Sequence, residues 1–131
     1  MEQQVDRIAA GVLVKCIETD RILLLLRNDN ADEPNTWALV GGGIDDGENV
    51  LEGLKREVKE EMSIDPDIIE YEFINKNYIK EKNMDFHYFK GFTKSEFLPT
   101  LDEENLDYRW CDKNDLPSPL YPGLINNINK I

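Results

Sequence analysis

Three glutamates lie close together in one short stretch of the sequence, where they could bind a metal ion. Glu57, Glu60 and Glu61 stand at positions i, i+3 and i+4, so on an α-helix they share one side within an arc of roughly 100°. Like charges at this spacing repel, and a bare helix gains no stability from them. A hard divalent cation reverses that balance because it requires several oxygen ligands. The spacing therefore predicts a metal site for a phosphate-bearing substrate.

A longer motif of fixed residues surrounds these glutamates. The positions in register are Gly42, Glu48, Arg56, Glu57, Val58, Glu60, Glu61 and Ile64. They resemble the Nudix box, G-x5-E-x7-R-E-U-x-E-E-x-G-U with U a bulky aliphatic residue, which is the signature of the Nudix (MutT-type) hydrolases. Ser63 is the single departure, because the family has glycine there. A serine after the helix either costs on the order of 1 kcal/mol in the left-handed conformation or ends the helix differently, and neither removes a ligand.

The resemblance implies roles for single residues. In the family, the arginine that matches Arg56 orients the next glutamate, here Glu57, which binds metal or acts as the base; a guanidinium can do this by a bidentate contact. Glu48 matches a loop glutamate that assists from outside the first ligand sphere or through water. The Gly41 carbonyl matches a backbone metal ligand. Glu104 matches a loop glutamate that reaches over the metal as a further ligand or as the base, although an ordinary acidic loop would look the same.

The kind of metal follows from the ligand type. Oxygen-only ligation by Glu57, Glu60 and Glu61 selects Mg²⁺ or Mn²⁺ over zinc, which favours histidine or cysteine. Two residues outside the motif are candidates for contacting the substrate. Arg27 could contact a phosphate, with an edge salt bridge as the alternative. Trp37 could stack on a base, with core packing as the alternative.

The length and composition predict one small globular domain that covers residues 1–131. A net charge of −12 argues against binding to a long nucleic acid or to an anionic membrane. The longest apolar run, residues 22–26, is far too short to span a bilayer, and the acidic first residues are not a signal peptide. We therefore expect a cytoplasmic protein in which Cys16 and Cys111 are unpaired, buried thiols.

Apolar patterns predict where the strands and helices lie. Strands are expected at residues 8–16, 22–26, 37–40, 68–79, 85–92 and 106–111, with helices at 50–62 and 123–130. Asn49 suits the N-cap of the first helix, whose apolar stripe comprises Val50, Leu51, Leu54, Val58 and Met62. This order favours an α/β fold. The resemblance implies the Nudix α/β/α sandwich, a mixed β-sheet with helices on its faces and a catalytic loop-helix-loop.

The resemblance also implies an enzyme that cleaves a nucleoside diphosphate linked to another moiety, X. The short chain favours the MutT-like activity, in which nucleoside or deoxynucleoside triphosphates are cleaved to a monophosphate and pyrophosphate. ADP-ribose, nucleotide-sugar or dinucleoside-polyphosphate hydrolysis remains an alternative. So does a non-catalytic domain that only binds nucleotides. The partner expected is a small nucleotide, and a homodimer stays open because dimers are common in the family.

Overall fold

Residues 4–125 are described by the computed structural model, and their strands form one mixed seven-stranded sheet. In chain order the strands are β1 Arg7–Cys16, β2 Ile22–Arg27, β3 Trp37–Ala38, β4 Val40–Gly43, β5 Glu70–Ile79, β6 Met84–Thr93 and β7 Asn105–Cys111. The helices are α1 Val50–Met62 and α2 Pro122–Ile125. The main path of the sheet is β3-β2-β1-β6-β5, with β7 added beside β2. β1 and β6 run parallel, and the other described pairs are antiparallel.

The sheet divides along one edge of β1. β6 pairs with β1 over its whole length, whereas the opposite edge is shared between two strands. β4 pairs with residues 9–12 of β1, and β2 pairs with Val14 and Lys15. α1 packs over β4 and β1. The division therefore places the glycines of β4 directly under the helix that carries the three glutamates.

The strand predicted at residues 37–40 is in fact two strands. Trp37–Ala38 pairs with β2, whereas Val40–Gly43 pairs with β1, so the glycines belong to a strand and not to a loop. Gly41 has a φ of +155°, and a Cβ there would lie 2.1 Å from the carbonyl oxygen of Ala10. Only glycine fits this close approach of two backbones. Sequence periodicity misses such a strand because it has no side chains to alternate.

The predicted bounds of α1 are confirmed, and so is its N-cap. The side chain of Asn49 accepts from the Glu52 amide at 2.9 Å, and its own amide donates to the Glu52 carboxylate at 2.6 Å. Inside the helix, the buried residues are Gly53, Leu54, Val58, Glu61 and Met62. The expectation that Leu51 belongs to the buried stripe is wrong, because its side chain is exposed.

Ser63 ends α1 in the left-handed conformation. Its φ is 54° and ψ is 39°, and its amide donates to the Lys59 carbonyl at 2.9 Å. The first of the two expected geometries is therefore the one found, at a cost on the order of 1 kcal/mol relative to glycine. The departure from the family motif is structural, because the serine backbone caps the helix where glycine otherwise would.

Side chains on both faces of the sheet form separate core layers, which makes the fold an α/β/α sandwich. On the α1 face, the buried side chains of β1, β2, β4 and β6 pack against Leu54, Val58 and Met62. On the opposite face, Leu124 of α2 packs with side chains from β1, β2, β6 and β7. The predicted α/β class with a mixed sheet is thus confirmed.

Further expectations concern the start of β5, the two cysteines, the last helix and membrane-spanning segments. β5 begins at Glu70 and not at residue 68, because Pro66–Ile68 form a 3-10 turn capped by Asp65. Cys16 and Cys111 are free and buried, as predicted. The predicted helix at 123–130 begins at Pro122, and its part beyond Ile125 lies outside the described residues. Within residues 4–125, no helix has both the length and the apolar content needed to cross a bilayer.

Candidate active site

Arg56, in the middle of α1, is the centre of a hydrogen-bond network. Its Nε and Nη2 donate to the two carboxylate oxygens of Glu48 at 2.8 and 3.0 Å, and Nη2 also donates to the Gly43 carbonyl at 2.9 Å. The Asp45 amide completes the loop by donating to Glu48 at 2.8 Å. The Arg56 guanidinium and this amide lower the pKa of Glu48. Arg56 therefore fixes the loop before the helix to the helix itself.

The bidentate contact expected between Arg56 and Glu57 is wrong, since Glu48 receives it. Adjacent residues on a helix do not face each other, whereas the preceding loop folds Glu48 back over α1. Glu57 accepts one hydrogen bond from Arg56 Nη1 at 3.0 Å, and Glu60 accepts from the same nitrogen at 3.1 Å. Glu57 is 14% exposed, and burial raises its pKa even though Arg56 opposes this. Glu60 is 55% exposed.

Glu61 is a buried carboxylate with little compensation. It is 4% exposed, and its side chain accepts one long hydrogen bond, 3.3 Å, from the Gly41 amide. Burial, with the nearby charge of Glu57, raises its pKa well above the ordinary value of 4.5. A buried charge of this kind costs stability unless an opposite charge or several hydrogen bonds compensate it. No cationic side chain within the described residues is paired with Glu61.

The donor set suits a hard divalent cation. Three carboxylates from one helix face and the backbone of Gly41 offer oxygen only, which is the preference of Mg²⁺ and Mn²⁺. Across residues 4–125, no three acidic, histidine or cysteine side chains already converge as a cation cluster. Arg56 holds Glu57 and Glu60, and the Gly41 amide holds Glu61. The under-compensated carboxylate of Glu61 is the feature that a cation would satisfy.

The acidic loop before β7 lies against the C-terminal end of α1, next to Glu61. The Asp102 amide donates to the Glu61 carbonyl at 3.2 Å, and the Glu104 amide donates to the Asp102 carboxylate at 3.1 Å. The charge of Glu104 contributes to the raised pKa of both Glu57 and Glu61. The structure thus brings Glu104 to the site. It also brings Asp102, which sequence reasoning missed although the run of acids at 102–104 was a signal.

Gly42 gives the Glu57 carboxylate its space. A Cβ at this position would lie 2.7 Å from both Cδ and Oε2 of Glu57. Gly43, the next residue, is different, because an added Cβ would meet no described atom within 4 Å. Neither glycine has a positive φ, so alanine strains the backbone at neither position. Alanine variants at the two positions therefore distinguish displacement of Glu57 from a general effect of adding a methyl group to β4.

We expect Gly42→Ala to lower kcat/KM by about 10- to 100-fold, because a displacement near 1 Å of a reacting or ligand group costs about that much. The free energy of unfolding should change little. The measurement is steady-state hydrolysis of the best nucleotide substrate, with urea unfolding of the same samples. Gly43→Ala is the matched control and should stay near wild type. Equal activity of both variants would show that Glu57 can move away without consequence.

Arg27 and Trp37, the two residues considered for substrate contact, make other contacts within the protein. Arg27 pairs with Asp32, and its guanidinium lies 5.2 Å from the centroid of the Tyr121 ring. Trp37 is half-buried and packs on the core layer opposite α1. The contacts that were considered as alternatives, an edge salt bridge and core packing, are therefore present for both. Their part in substrate binding stays a prediction.

Comparison with known proteins agrees with this arrangement. The NUDIX domain family matches residues 5–129, so the chain belongs to the NUDIX family. It is similar to the nucleoside triphosphatase NudI of Escherichia coli, with 28% identity over 117 residues that cover 80% of this chain and 83% of the relative.

Two solved structures share the fold. One is a MutT NUDIX hydrolase from Burkholderia pseudomallei, with a TM-score of 0.74, 23% identity, and coverage of 95% and 97% of the two chains. The other is an Ap4A hydrolase from C. elegans, with a TM-score of 0.73, 23% identity, and coverage of 95% and 93%.

Membership of the family settles the class of activity. Nudix hydrolases act on phosphoanhydride bonds of small nucleotide substrates and generally use divalent metals. The protein is therefore a hydrolase of such bonds, and the alternative of a domain that only binds nucleotides is set aside.

Proposed function

We propose that this protein hydrolyses nucleoside or deoxynucleoside triphosphates to a nucleoside monophosphate and pyrophosphate, with Mg²⁺ or Mn²⁺ as cofactor. The observation that carries the proposal is the nearly inaccessible, under-compensated carboxylate of Glu61 beside Glu57. The similarity to a nucleoside triphosphatase supports the substrate class.

The residues proposed to hold the cation are Glu57, Glu60, Glu61 and the carbonyl of Gly41. When bound, a divalent cation supplies positive charge that offsets the polyphosphate oxygens and makes water more acidic. Around that position, hydrogen bonds within the protein orient the carboxylates. Arg56 anchors Glu48 through two hydrogen bonds and Glu57 through one, so both carboxylates are held before the substrate arrives. We assign Arg56 and Glu48 to positioning.

The proton acceptor is proposed to be Glu57 or Glu104. A general base works best when its pKa approaches the operating pH, and burial moves the pKa of Glu57 upward. Glu104 is an exposed loop residue whose charge reaches the same region. Glu57 is favoured because Arg56 holds it in one orientation.

A substrate panel tests the proposal. The native protein is incubated with Mg²⁺ or Mn²⁺ and, separately, with nucleoside triphosphates, ADP-ribose, a nucleotide sugar and a dinucleoside polyphosphate. Running the reactions in ¹⁸O-labelled water locates the attacked phosphorus from the labelled product. We expect triphosphates to give monophosphate and pyrophosphate. Cleavage of another class, with triphosphates intact, would contradict the substrate while leaving the hydrolase class unchanged.

Variants on α1 link the activity to the proposed residues. Glu57→Gln should lower kcat by about 10²- to 10⁴-fold, because glutamine can neither accept a proton nor balance a cation. Glu52→Gln is the matched control: it lies on the same helix, away from the carboxylate side, and glutamine can still accept from Asn49. Activity of Glu57→Gln equal to that of the control would contradict the assignment of the site.

A further inference from the structure

One carboxylate joins two cationic side chains at the end of β2. Asp32 Oδ1 accepts from Arg27 Nη2, and Asp32 Oδ2 accepts from Lys82 Nζ at 2.5 Å. Arg27 also donates from Nε to the Asp32 carbonyl at 2.9 Å. Both cations also contact Tyr121: the Arg27 guanidinium lies 5.2 Å from the ring centroid, and Lys82 Nζ lies 3.4 Å from the hydroxyl. We call these four side chains the Asp32 cluster.

Three separate segments of the chain meet at the Asp32 cluster. Asp32 belongs to the loop after β2, Lys82 to the 3-10 turn between β5 and β6, and Tyr121 to the segment before α2. The Tyr121 amide donates to the Trp37 carbonyl at 2.8 Å, so the backbone of Trp37, whose side chain is half-buried, lies next to the cluster. A pair of cations beside the aromatic ring of Tyr121 is a surface suited to a nucleotide, which has both anionic groups and a ring to stack.

The segment that carries Arg27 also lies next to the site on α1, because the amide of Asn28 donates to the carbonyl of Glu104 at 3.0 Å and the charge of Glu104 acts on Glu57 and Glu61. Trp37 and Gly41 are four residues apart on nearly extended chain, so their Cα atoms are at most roughly 13 Å apart. Gly41 in turn contacts Glu61. An extended nucleoside triphosphate can cover such a distance. One substrate molecule could therefore contact both the carboxylates of α1 and the cations of the cluster.

The chemistry of Asp32 itself resembles that of a phosphate. Each of its two oxygens pairs with a different cation, which is how two oxygens of a phosphate group would bridge a guanidinium and an ammonium. Asp32 is 52% exposed, whereas Arg27 and Lys82 are 27% and 36% exposed. The acid is thus more exposed than either cation. In a chain of net charge −12, two cationic side chains this close together form a local site that favours an anionic ligand.

We propose that Arg27 and Lys82 form an anion subsite for a phosphate group of the nucleotide substrate, and that Asp32 is its built-in occupant, which the substrate must displace. This inference rests on the proposed function, because it concerns the same substrate. Asp32 therefore weakens substrate binding and sets KM, whereas it leaves the chemical step at α1 unchanged. The subsite selects substrates that carry a phosphate in reach of Trp37 and Tyr121.

Removing the charge of Asp32 tests the idea. Asp32→Asn should lower KM by about three- to ten-fold, the equivalent of one or two partly exposed ion pairs, with kcat within two-fold of wild type. Asp29→Asn is the matched control, since Asp29 lies in the same loop and accepts from Asn35 at 2.9 Å without a cation contact. An unchanged or higher KM in Asp32→Asn would overturn the proposal, because a merely structural bridge would loosen the loop when broken.

A second variant shows whether the lower KM of Asp32→Asn depends on the cations. Lys82→Gln, added to Asp32→Asn, should remove most of the decrease in KM, because the freed ammonium is the group that the substrate would use. The decrease should also shrink as salt is raised, since exposed charges are screened. If the double variant keeps the lower KM, the subsite is overturned. Urea unfolding of each variant confirms that it is folded.

Direct binding separates this proposal from the proposed function. Calorimetry with Mg²⁺ and α,β-methylene ATP, which resists cleavage, should show tighter binding to Asp32→Asn than to wild type, whereas adenosine should show no difference. Tighter binding of adenosine, or equal binding of the analogue, would overturn the anion subsite. If the substrate panel shows no cleavage of triphosphates, the proposed function fails, and the calorimetric comparison still decides the subsite on its own.

Discussion

Glu61→Gln should strongly slow hydrolysis and, without metal, make the fold more stable. We expect kcat to fall by about 10²- to 10⁴-fold, as for loss of a ligand or base. The free energy of unfolding in EDTA should rise by about 1–2 kcal/mol, the usual gain when a strained functional group is replaced. Glu61 is 4% exposed and accepts one long hydrogen bond, so a neutral side chain of the same shape relieves an uncompensated charge.

The pH dependence of that gain follows from the direction of the pKa shift. Burial raises the pKa of Glu61 in the folded state above 4.5, its ordinary value. Below 4.5 the side chain is protonated in both states, and the wild type carries no penalty. As pH rises from 4.5 through the folded pKa, the unfolded chain loses its proton first, so the wild type loses stability. The stability difference between Glu61→Gln and wild type should therefore grow over this range.

Urea unfolding in EDTA between pH 4 and pH 7.5 measures this difference directly. Glu70→Gln, at an exposed glutamate of β5 outside the site, is the control and should show no comparable gain. Adding Mg²⁺ should stabilise the wild type, because a ligand that binds only the folded state raises its stability, and should stabilise Glu61→Gln much less. A variant that is less stable than wild type at pH 7 in EDTA would refute the account of Glu61.

The helix and its three glutamates could be predicted from the sequence because both depend on local spacing. Side chains at i, i+3 and i+4 share one helix face in any fold, and the Asn49 cap marks where the helix begins. The buried state of Glu61 is not local in this sense. It depends on Gly41 of β4 lying beneath the helix, and that position depends on how β1 divides its edge between two strands.

Contacts between distant segments could not be predicted from the sequence for the same reason: they are not local. Arg56 was expected to make a bidentate contact with its neighbour Glu57, but the loop before α1 brings Glu48 to the fork of the guanidinium, and Glu57 accepts a single hydrogen bond. Asp32 and Lys82 are 50 residues apart, and their segments meet because β6 pairs with β1 and β1 pairs with β2. Asp102 reaches Glu61 because the loop before β7 passes the end of α1. In each case the residue type was visible in the sequence, but its partner was set by the pairing of strands or by the course of a loop.

Arg56→Lys should impair the chemical step even though it keeps the positive charge. Lysine has one nitrogen and no planar fork, so it cannot bind both oxygens of Glu48 and also donate to Glu57. The native guanidinium makes these contacts at 2.8, 3.0 and 3.0 Å. We expect kcat to fall by about 10- to 100-fold, since loss of orientation at a reacting group costs about that much. KM should change less than kcat, because Arg56 acts on carboxylates and not on the substrate.

A double variant distinguishes positioning from loss of general stability. If Arg56 acts largely through Glu48, then Glu48→Gln should already remove much of the effect, and adding Arg56→Lys should lower kcat by less than the product of the two single effects. Lys59→Arg, on the exposed side of α1, is the matched exchange of the same two residue types and should leave kcat near wild type. Independent, multiplicative losses at Arg56 and Glu48 would mean that the guanidinium does not work through the loop carboxylate. Because the fork is the only feature that lysine lacks, full activity of Arg56→Lys would show that charge alone is sufficient at the centre of the network.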